Sequence, residues 1–157
     1  MELTHVPHPL LATRAKKIPT QDLKAGLFES LATDMKAAML ANNGIGLAAN
    51  QVGRPEALFV IDEKLATEHG VPSVYANPEI TEYGIERDEL EEGCLSIPGF
   101  WVQITRAKKI MFKALDGNGE RVKFRARGML ARVLQHETDH LYGTTIKNKS
   151  ASKSVKG

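Results

Sequence analysis

Residues 128–143 read Gly128-Met129-Leu130-Ala131-Arg132-Val133-Leu134-Gln135-His136-Glu137-Thr138-Asp139-His140-Leu141-Tyr142-Gly143. Met129, Leu130, Val133, Leu134 and Leu141 recur at helical spacing, which predicts a helix over about residues 129–142 with Gly143 as its stop. Within it, His136-Glu137-Thr138-Asp139-His140 matches the H-E-x-x-H pattern. Residues four apart share one helix face, so both imidazoles can reach one cation, with Glu137 beside it where a water would lie. The two histidines continue the inward face begun by Met129 and Val133, and Glu137 lies beside Leu130, Leu134 and Leu141. Three ionisable groups on a buried face cost free energy unless something pairs with them, and a metal ion would. Satisfied, half-buried histidines without a metal are the plainer alternative.

A catalytic site of this kind takes three protein ligands and leaves a fourth position open. Residues 141–157 contain no His, Cys, Asp or Glu, so the third ligand must lie upstream. His5, His8 and His69 sit in the N-terminal segment and a polar loop, where surface positions are expected. Cys94, the one cysteine, lies in Glu92-Gly93-Cys94-Leu95-Ser96-Ile97-Pro98, where Gly93 and Pro98 indicate a shaped backbone rather than a plain strand. A set of Cys94, His136 and His140 suits tetrahedral ligation; core filler is the other reading of Cys94. A single cysteine excludes an intramolecular disulfide and fits a reducing compartment.

The rest of the chain frames this helix. A length of 157 residues suggests one domain. With 42% apolar and 25% charged residues, the chain is not wholly disordered. No apolar run approaches the roughly 18 residues needed to span a bilayer, and the start Met1-Glu2-Leu3-Thr4-His5 lacks a secretory pattern. The net charge of +2, from 21 basic and 19 acidic residues, gives little reason to expect a nucleic-acid partner. Residues 20–43 read as one helix, with Thr20 as N-cap, a stripe of Leu23, Leu27, Leu31 and Met35, and Gly44 as stop. Residues 57–62 read as a buried strand, 64–73 as a loop, and 74–92 as extended segments with a turn at Asn77-Pro78. Residues 108–126 read as a hairpin around Asp116-Gly117-Asn118-Gly119. One domain is expected over 1–146, followed by a Lys/Ser-rich flexible tail over 147–157.

Three segments together resemble the peptide deformylase family: Gly44-Ile45-Gly46-Leu47-Ala48-Ala49-Asn50-Gln51, Glu92-Gly93-Cys94-Leu95-Ser96 and Gln135-His136-Glu137-Thr138-Asp139-His140-Leu141. Their order and spacing also resemble the family's, over about residues 3–146. The resemblance implies an α+β fold, with a central metal-binding helix enclosed by antiparallel β-sheets and one N-terminal helix packed outside. It implies removal of the formyl group from N-formylmethionine at the start of newly made polypeptides. In that reading Cys94, His136 and His140 hold one divalent ion, and Glu137 carries the proton from water to the departing amine. Gln51, by its side-chain amide, and Leu95, by its backbone N–H, stabilise the developing oxyanion. Ile45, Gly46 and Gly93 pair with the substrate backbone, and the methionine enters a pocket that includes Ile45, Met129, Val133 and the ring of His136. Lacking a Cβ, Gly44 and Gly46 let the backbone approach a ligand; Phe100 and Trp101 after Pro98 read either as the border of the entrance or as core or rim packing.

The family resemblance favours Fe2+ as the native ion, with Zn2+, Ni2+ or Co2+ as other occupants. Two departures stand out. Asn42-Asn43 stand where acidic residues are expected in many relatives, and after Gly143 a further helix is expected to be missing, as in short, phage-encoded members. That loss puts ribosome docking through a longer tail in doubt, leaving at most a weak association. A monomer in a bacterial or infected bacterial cytoplasm is expected, with no membrane partner. A peptidase with the same metal machinery, and a non-catalytic metal- or peptide-binding module, are the competing readings. Glu137 and Gln51 argue against the second, since neither is needed merely to hold a metal.

Overall fold

The computed structural model describes residues 1–149. Its helices and strands follow in the order α1 (Thr20–Lys24), α2 (Glu29–Ala41), β1 (Gly46–Ala48), β2 (Leu58–Ile61), α3 (Glu63–His69), β3 (Val74–Tyr83), β4 (Arg87–Cys94), β5 (Ile97–Ala107), β6 (Lys109–Asp116), β7 (Arg121–Arg127) and α4 (Gly128–Leu141). One antiparallel sheet has the order β1-β2-β3-β6-β7, and β4 and β5 form a separate hairpin. This is the expected α+β architecture.

The core lies in two layers on either side of the five-stranded sheet. On one face Phe59, Ile61, Tyr75, Ile110, Phe112 and Ala126 meet Leu130, Val133, Leu134 and Leu141 of α4. On the other, Leu47, Leu58 and Val60 meet Leu31, Met35 and Met39 of α2. Fully burying a side chain such as Phe59 or Met35 contributes about 1.5–3 kcal/mol. The β4–β5 hairpin touches α4 from a third side, so the helix with the paired histidines is walled in while one face of it remains open to a cleft.

Local chemistry explains where the elements depart from expectation. The single helix expected over 20–43 is two. Gly26 takes φ +76°, Gly26 N–H donates to Leu23 O at 3.0 Å and Leu27 N–H to Asp22 O at 3.2 Å, a left-handed stop that ends α1. Helix α2 then ends before Gly44: Asn43 takes the left-handed turn at φ +57°, and Asn42 Nδ2 donates to Ala38 O at 2.8 Å. The segment read as a loop over 64–73 contains α3, with Asp62 accepting from Leu65 N–H at 3.1 Å and Gly70 at φ +63°. Asn77-Pro78 makes no turn. Strand β3 runs through it with a register shift, and the Asn77 amide accepts from Ile18 N–H and donates to Ile18 O, both at 2.8 Å. The expected 108–126 hairpin forms as β6 and β7.

After Gly143, where no further helix was expected, residues 146–149 form a helical turn and Ile146 is buried. Residues 150–157 of the expected flexible tail lie outside the described residues. No helix among the described residues is long and apolar enough to cross a membrane.

Candidate metal centre

Helix α4 carries His136 and His140 one turn apart, and their Nε2 atoms are 3.2 Å from each other. Cys94 ends β4 at a bulge. Gly93 pairs with Trp101, and the register then shifts so that Cys94 pairs with Ile97. The bend carries the Cys94 Sγ to 3.3 Å from His140 Nε2. All three donor atoms lie within 4.8 Å of one another. Tetrahedral ligation at about 2.0–2.3 Å sets neighbouring nitrogen and sulfur donors roughly 3.3–3.6 Å apart. The residues therefore fit a single divalent ion, and one thiolate with two imidazoles is a donor set for zinc or iron-group metals.

The ring orientation of His136 has its own support. Its Nδ1 lies 2.9 Å from Glu92 Oε1, which leaves Nε2 turned toward Cys94 and His140. Glu92 also accepts from Arg106 Nε at 2.6 Å and Nη2 at 2.8 Å, and from Arg132 Nη1. Arg106 Nη1 reaches Asp139 Oδ2 at 2.9 Å, and Arg132 Nη2 reaches Asp88 Oδ1 at 2.8 Å. Burial would raise the Glu92 pKa, but the hydrogen bonds from His136 and Arg106 and their charges hold it well below the usual carboxylate range.

This network is absent from the sequence reading, which gave Glu92 no role. The only signal was its place beside Gly93-Cys94. Its partners are 14, 40 and 44 residues away, and isolated charges read as surface.

Glu137 is 4% exposed and its Oε1 has no hydrogen-bond partner among the described residues. Burial raises its pKa to about 7, against the lowering effect of the His136 and Arg106 charges. Burial also drives His140 down, toward the neutral form a ligand needs. For His136, burial opposes protonation, but hydrogen bonds to Cys94 and Glu92 and the Glu137 charge push its pKa up to about 10. Ion binding at Nε2 is then coupled to proton release.

Gly46 lines the cleft and also lies against Glu137: a Cβ at Gly46 would sit 2.5 Å from Glu137 Oε2. Likewise a Cβ at Gly44 would sit 2.8 Å from Leu95 Cδ1, and one at Gly93 2.6 Å from Trp101 Cζ3. Two of the glycines thus make room for the carboxylate and for the leucine after Cys94, and the third for an indole ring.

Gln51 lies in the 3-10 turn Ala49–Val52. Its Oε1 accepts from Ala48 N–H at 2.9 Å, and its Nε2 lies 3.2 Å from Ser96 Oγ and 3.6 Å from Cys94 Sγ. A cleft of about 660 Å³ opens over this centre. Ile45, Gly46, Gln51 and Glu137 line it from one side and Gly93, Cys94 and Leu95 from another, with Met129, Val133 and His136 of α4 as its wall. Ile45 and Met129 are each 50% exposed there. Phe100 and Trp101 border it, and the exposed His5 joins the lining. His8 and His69 stay outside it; His8 Nδ1 accepts from Leu10 N–H at 3.1 Å.

Known proteins resemble this chain along nearly its whole length. The family model described as polypeptide deformylase matches residues 1–156. A peptide deformylase of Dictyoglomus thermophilum is 44% identical over 156 residues, 99% of this chain and 95% of the relative. The crystal structure of peptide deformylase from Thermotoga maritima superposes with a TM-score of 0.84 at 36% identity, covering 94% of this chain and 95% of that one. The enzyme from the Vibrio parahaemolyticus bacteriophage VP16T, in complex with actinonin, gives a TM-score of 0.81 at 34% identity, covering 92% and 99%.

Proposed function

Since the chain belongs to the peptide deformylase family, we propose a division of labour among its residues for the reaction that family carries out. The protein is a metal-dependent hydrolase that removes the N-formyl group from N-formylmethionine at the amino end of newly made polypeptides, releasing formate. The observation that carries the residue assignment is the convergence of Cys94, His136 and His140 at ligand distances, with Glu137 buried beside them.

Cys94, His136 and His140 hold one divalent ion, Fe2+ as the native occupant, with Zn2+, Ni2+ or Co2+ as substitutes. Bound there, the ion supplies Lewis acidity toward water and the formyl carbonyl. Glu137 takes the proton of the attacking water and returns it to the departing nitrogen, a poor leaving group unless protonated. Burial raises the Glu137 carboxyl above the ordinary carboxylate range, toward the neutral pH at which it takes and returns the proton. As the formyl carbon becomes tetrahedral, its oxygen gains charge. The Gln51 amide and the Leu95 N–H donate to it, and losing one such donor typically costs about 10²–10³ in rate. Both Gln51 amide hydrogens have partners, Ser96 Oγ at 3.2 Å and Cys94 Sγ at 3.6 Å, so donation to the oxyanion exchanges the longer contact to sulfur for one to the substrate oxygen.

Ile45, Gly46 and Gly93 pair with the substrate backbone, and Met129, Val133 and Ile45 enclose the methionine side chain. One catalytic domain over 1–146, a monomer in a bacterial or infected bacterial cytoplasm, and a weak association with the ribosome complete the reading. Its test is formate release from a formyl-Met tripeptide under anaerobic conditions, with metal analysis of the same sample. Turnover that scales with bound ion and is highest for Fe2+ supports the assignment. Turnover by metal-free protein overturns it.

A further inference from the structure

We propose that the outer face of the β6–β7 hairpin docks on double-stranded RNA through its phosphate backbone. Alternate side chains of a strand point to opposite faces. Ile110, Phe112, Ala114 and Ala126 take the core side. The other side presents Lys109 and Lys113 from β6 and Arg121, Lys123, Arg125 and Arg127 from β7, all exposed. Strand β7 is the last in the sheet, so these charges form a stripe along its rim.

Among the described residues, Lys113 has one ion pair, to Glu79 at 3.3 Å, and the other five have none. Glu79 and Glu82 of β3 border the stripe on its inner side only. Asp116, at the hairpin turn, is engaged by the N–H groups of Asn118 and Glu120, and Glu120 is the one acid at the outer end.

The pairing register sets Lys109 opposite Arg127 and Lys113 opposite Lys123. Like charges directly across a ladder destabilise a sheet. Charging an outer strand does discourage edge-to-edge aggregation, but that does not call for Lys109 and Lys113 on the inner strand. Successive charges on β7 are about 7 Å apart, and Arg121 to Arg127 spans about 20 Å. The face presents no aromatic ring on which unstacked bases could lie, which favours a duplex backbone over a single strand. The low net charge, which argued against a nucleic-acid partner, is a sum over the whole chain and conceals a local stripe in which five of six cations have no ion pair among the described residues. The choice of RNA over DNA rests on the reading that the protein meets its substrates where polypeptides are made.

The test is fluorescence anisotropy of a labelled 20-base-pair RNA duplex with the full chain. Binding should weaken with salt, with a log–log slope of about −4.5 if all five unpaired cations meet phosphates. The variant Lys123→Glu/Arg127→Glu should bind at least about 10-fold more weakly in low salt, with a slope shallower by about 2. Each acid would face a lysine across the hairpin, so its melting temperature should equal or exceed that of the parent. Lys17→Glu/Lys64→Glu, which changes net charge equally on exposed residues elsewhere, should keep its RNA affinity. Equal loss in both variants, no binding in low salt, or tighter binding to a DNA duplex or to anionic phospholipid vesicles overturns the proposal. Deformylation of a formyl-Met tripeptide, measured on the same samples, should not change in either variant, so loss of RNA binding and failure of the catalytic reading are separate results.

Discussion

His136 Nδ1 and Glu92 Oε1 are 2.9 Å apart, and the same carboxylate accepts from both Arg106 and Arg132. One buried acid therefore orients a metal ligand and neutralises two buried guanidinium groups. Removing it should strike both functions. Glu92→Gln should lower metal affinity about 10–100-fold, read by competition with a chelator. Glu92→Ala should destabilise the fold by about 3–5 kcal/mol, since Arg106 and Arg132 lose their shared partner. Denaturant unfolding checks this, and unchanged stability in Glu92→Ala would contradict the network's role.

Glu137 is buried with an unpartnered oxygen, so its replacement removes a proton carrier rather than a brace. Glu137→Gln should retain the ion and lose about 10²–10⁴ in kcat. Formate release and metal content, measured on one preparation, separate the two effects. Normal turnover would exclude Glu137 as the carrier.

Cys94→Ala leaves two imidazoles, too few to hold the ion against a chelator. Both the variant and chelator-treated wild type should lack activity, and adding Fe2+ or Ni2+ back should restore only the wild type. Because an ion that binds only the folded state stabilises it, chelation should also lower the wild-type melting temperature.

Gly46 lies against Glu137, and a Cβ there would come within 2.5 Å of Oε2. Gly46→Ala should displace the carboxylate and cost about 1–3 kcal/mol in stability. Activity should fall while the ion stays bound. Full activity would show that the carboxylate can move aside without loss.

Tyr75 is wholly buried among Phe59, Phe112 and Phe124, and its hydroxyl has no partner among the described residues. Tyr75→Phe should be neutral or stabilise by about 1–2 kcal/mol. Burial raises the Tyr75 pKa above its unfolded value of 10.0. The neutral form is thus favoured in the fold. Its contribution is complete below about pH 10 and is lost as pH rises beyond that, when the unfolded chain ionises first. The stability advantage of Tyr75→Phe should therefore widen above pH 10, as thermal melts at pH 8 and pH 11 would show.

Much of the molecule is legible as a string of residues because the relevant physics is local. The histidine pair and the helix that bears it follow from a four-residue spacing and an apolar stripe, and the β6–β7 hairpin from alternation around Asp116-Gly117-Asn118-Gly119. The stops at Gly26 and Asn43, and the helix begun by Asp62 and ended by Gly70, also rest on local signals, left-handed turns and an aspartate N-cap. Other features have no local trace. Glu92 becomes the partner of Arg106, Arg132 and His136 only when β4, β5 and α4 pack together. Gly46 is needed small because a carboxylate 91 positions along the chain folds against it. The basic stripe arises only when antiparallel pairing sets lysines of β6 beside arginines and lysine of β7. Hydrogen bonds and charges act through space over a few ångströms, and the order of residues specifies which groups exist, while the packing of sheet on helix specifies which of them meet.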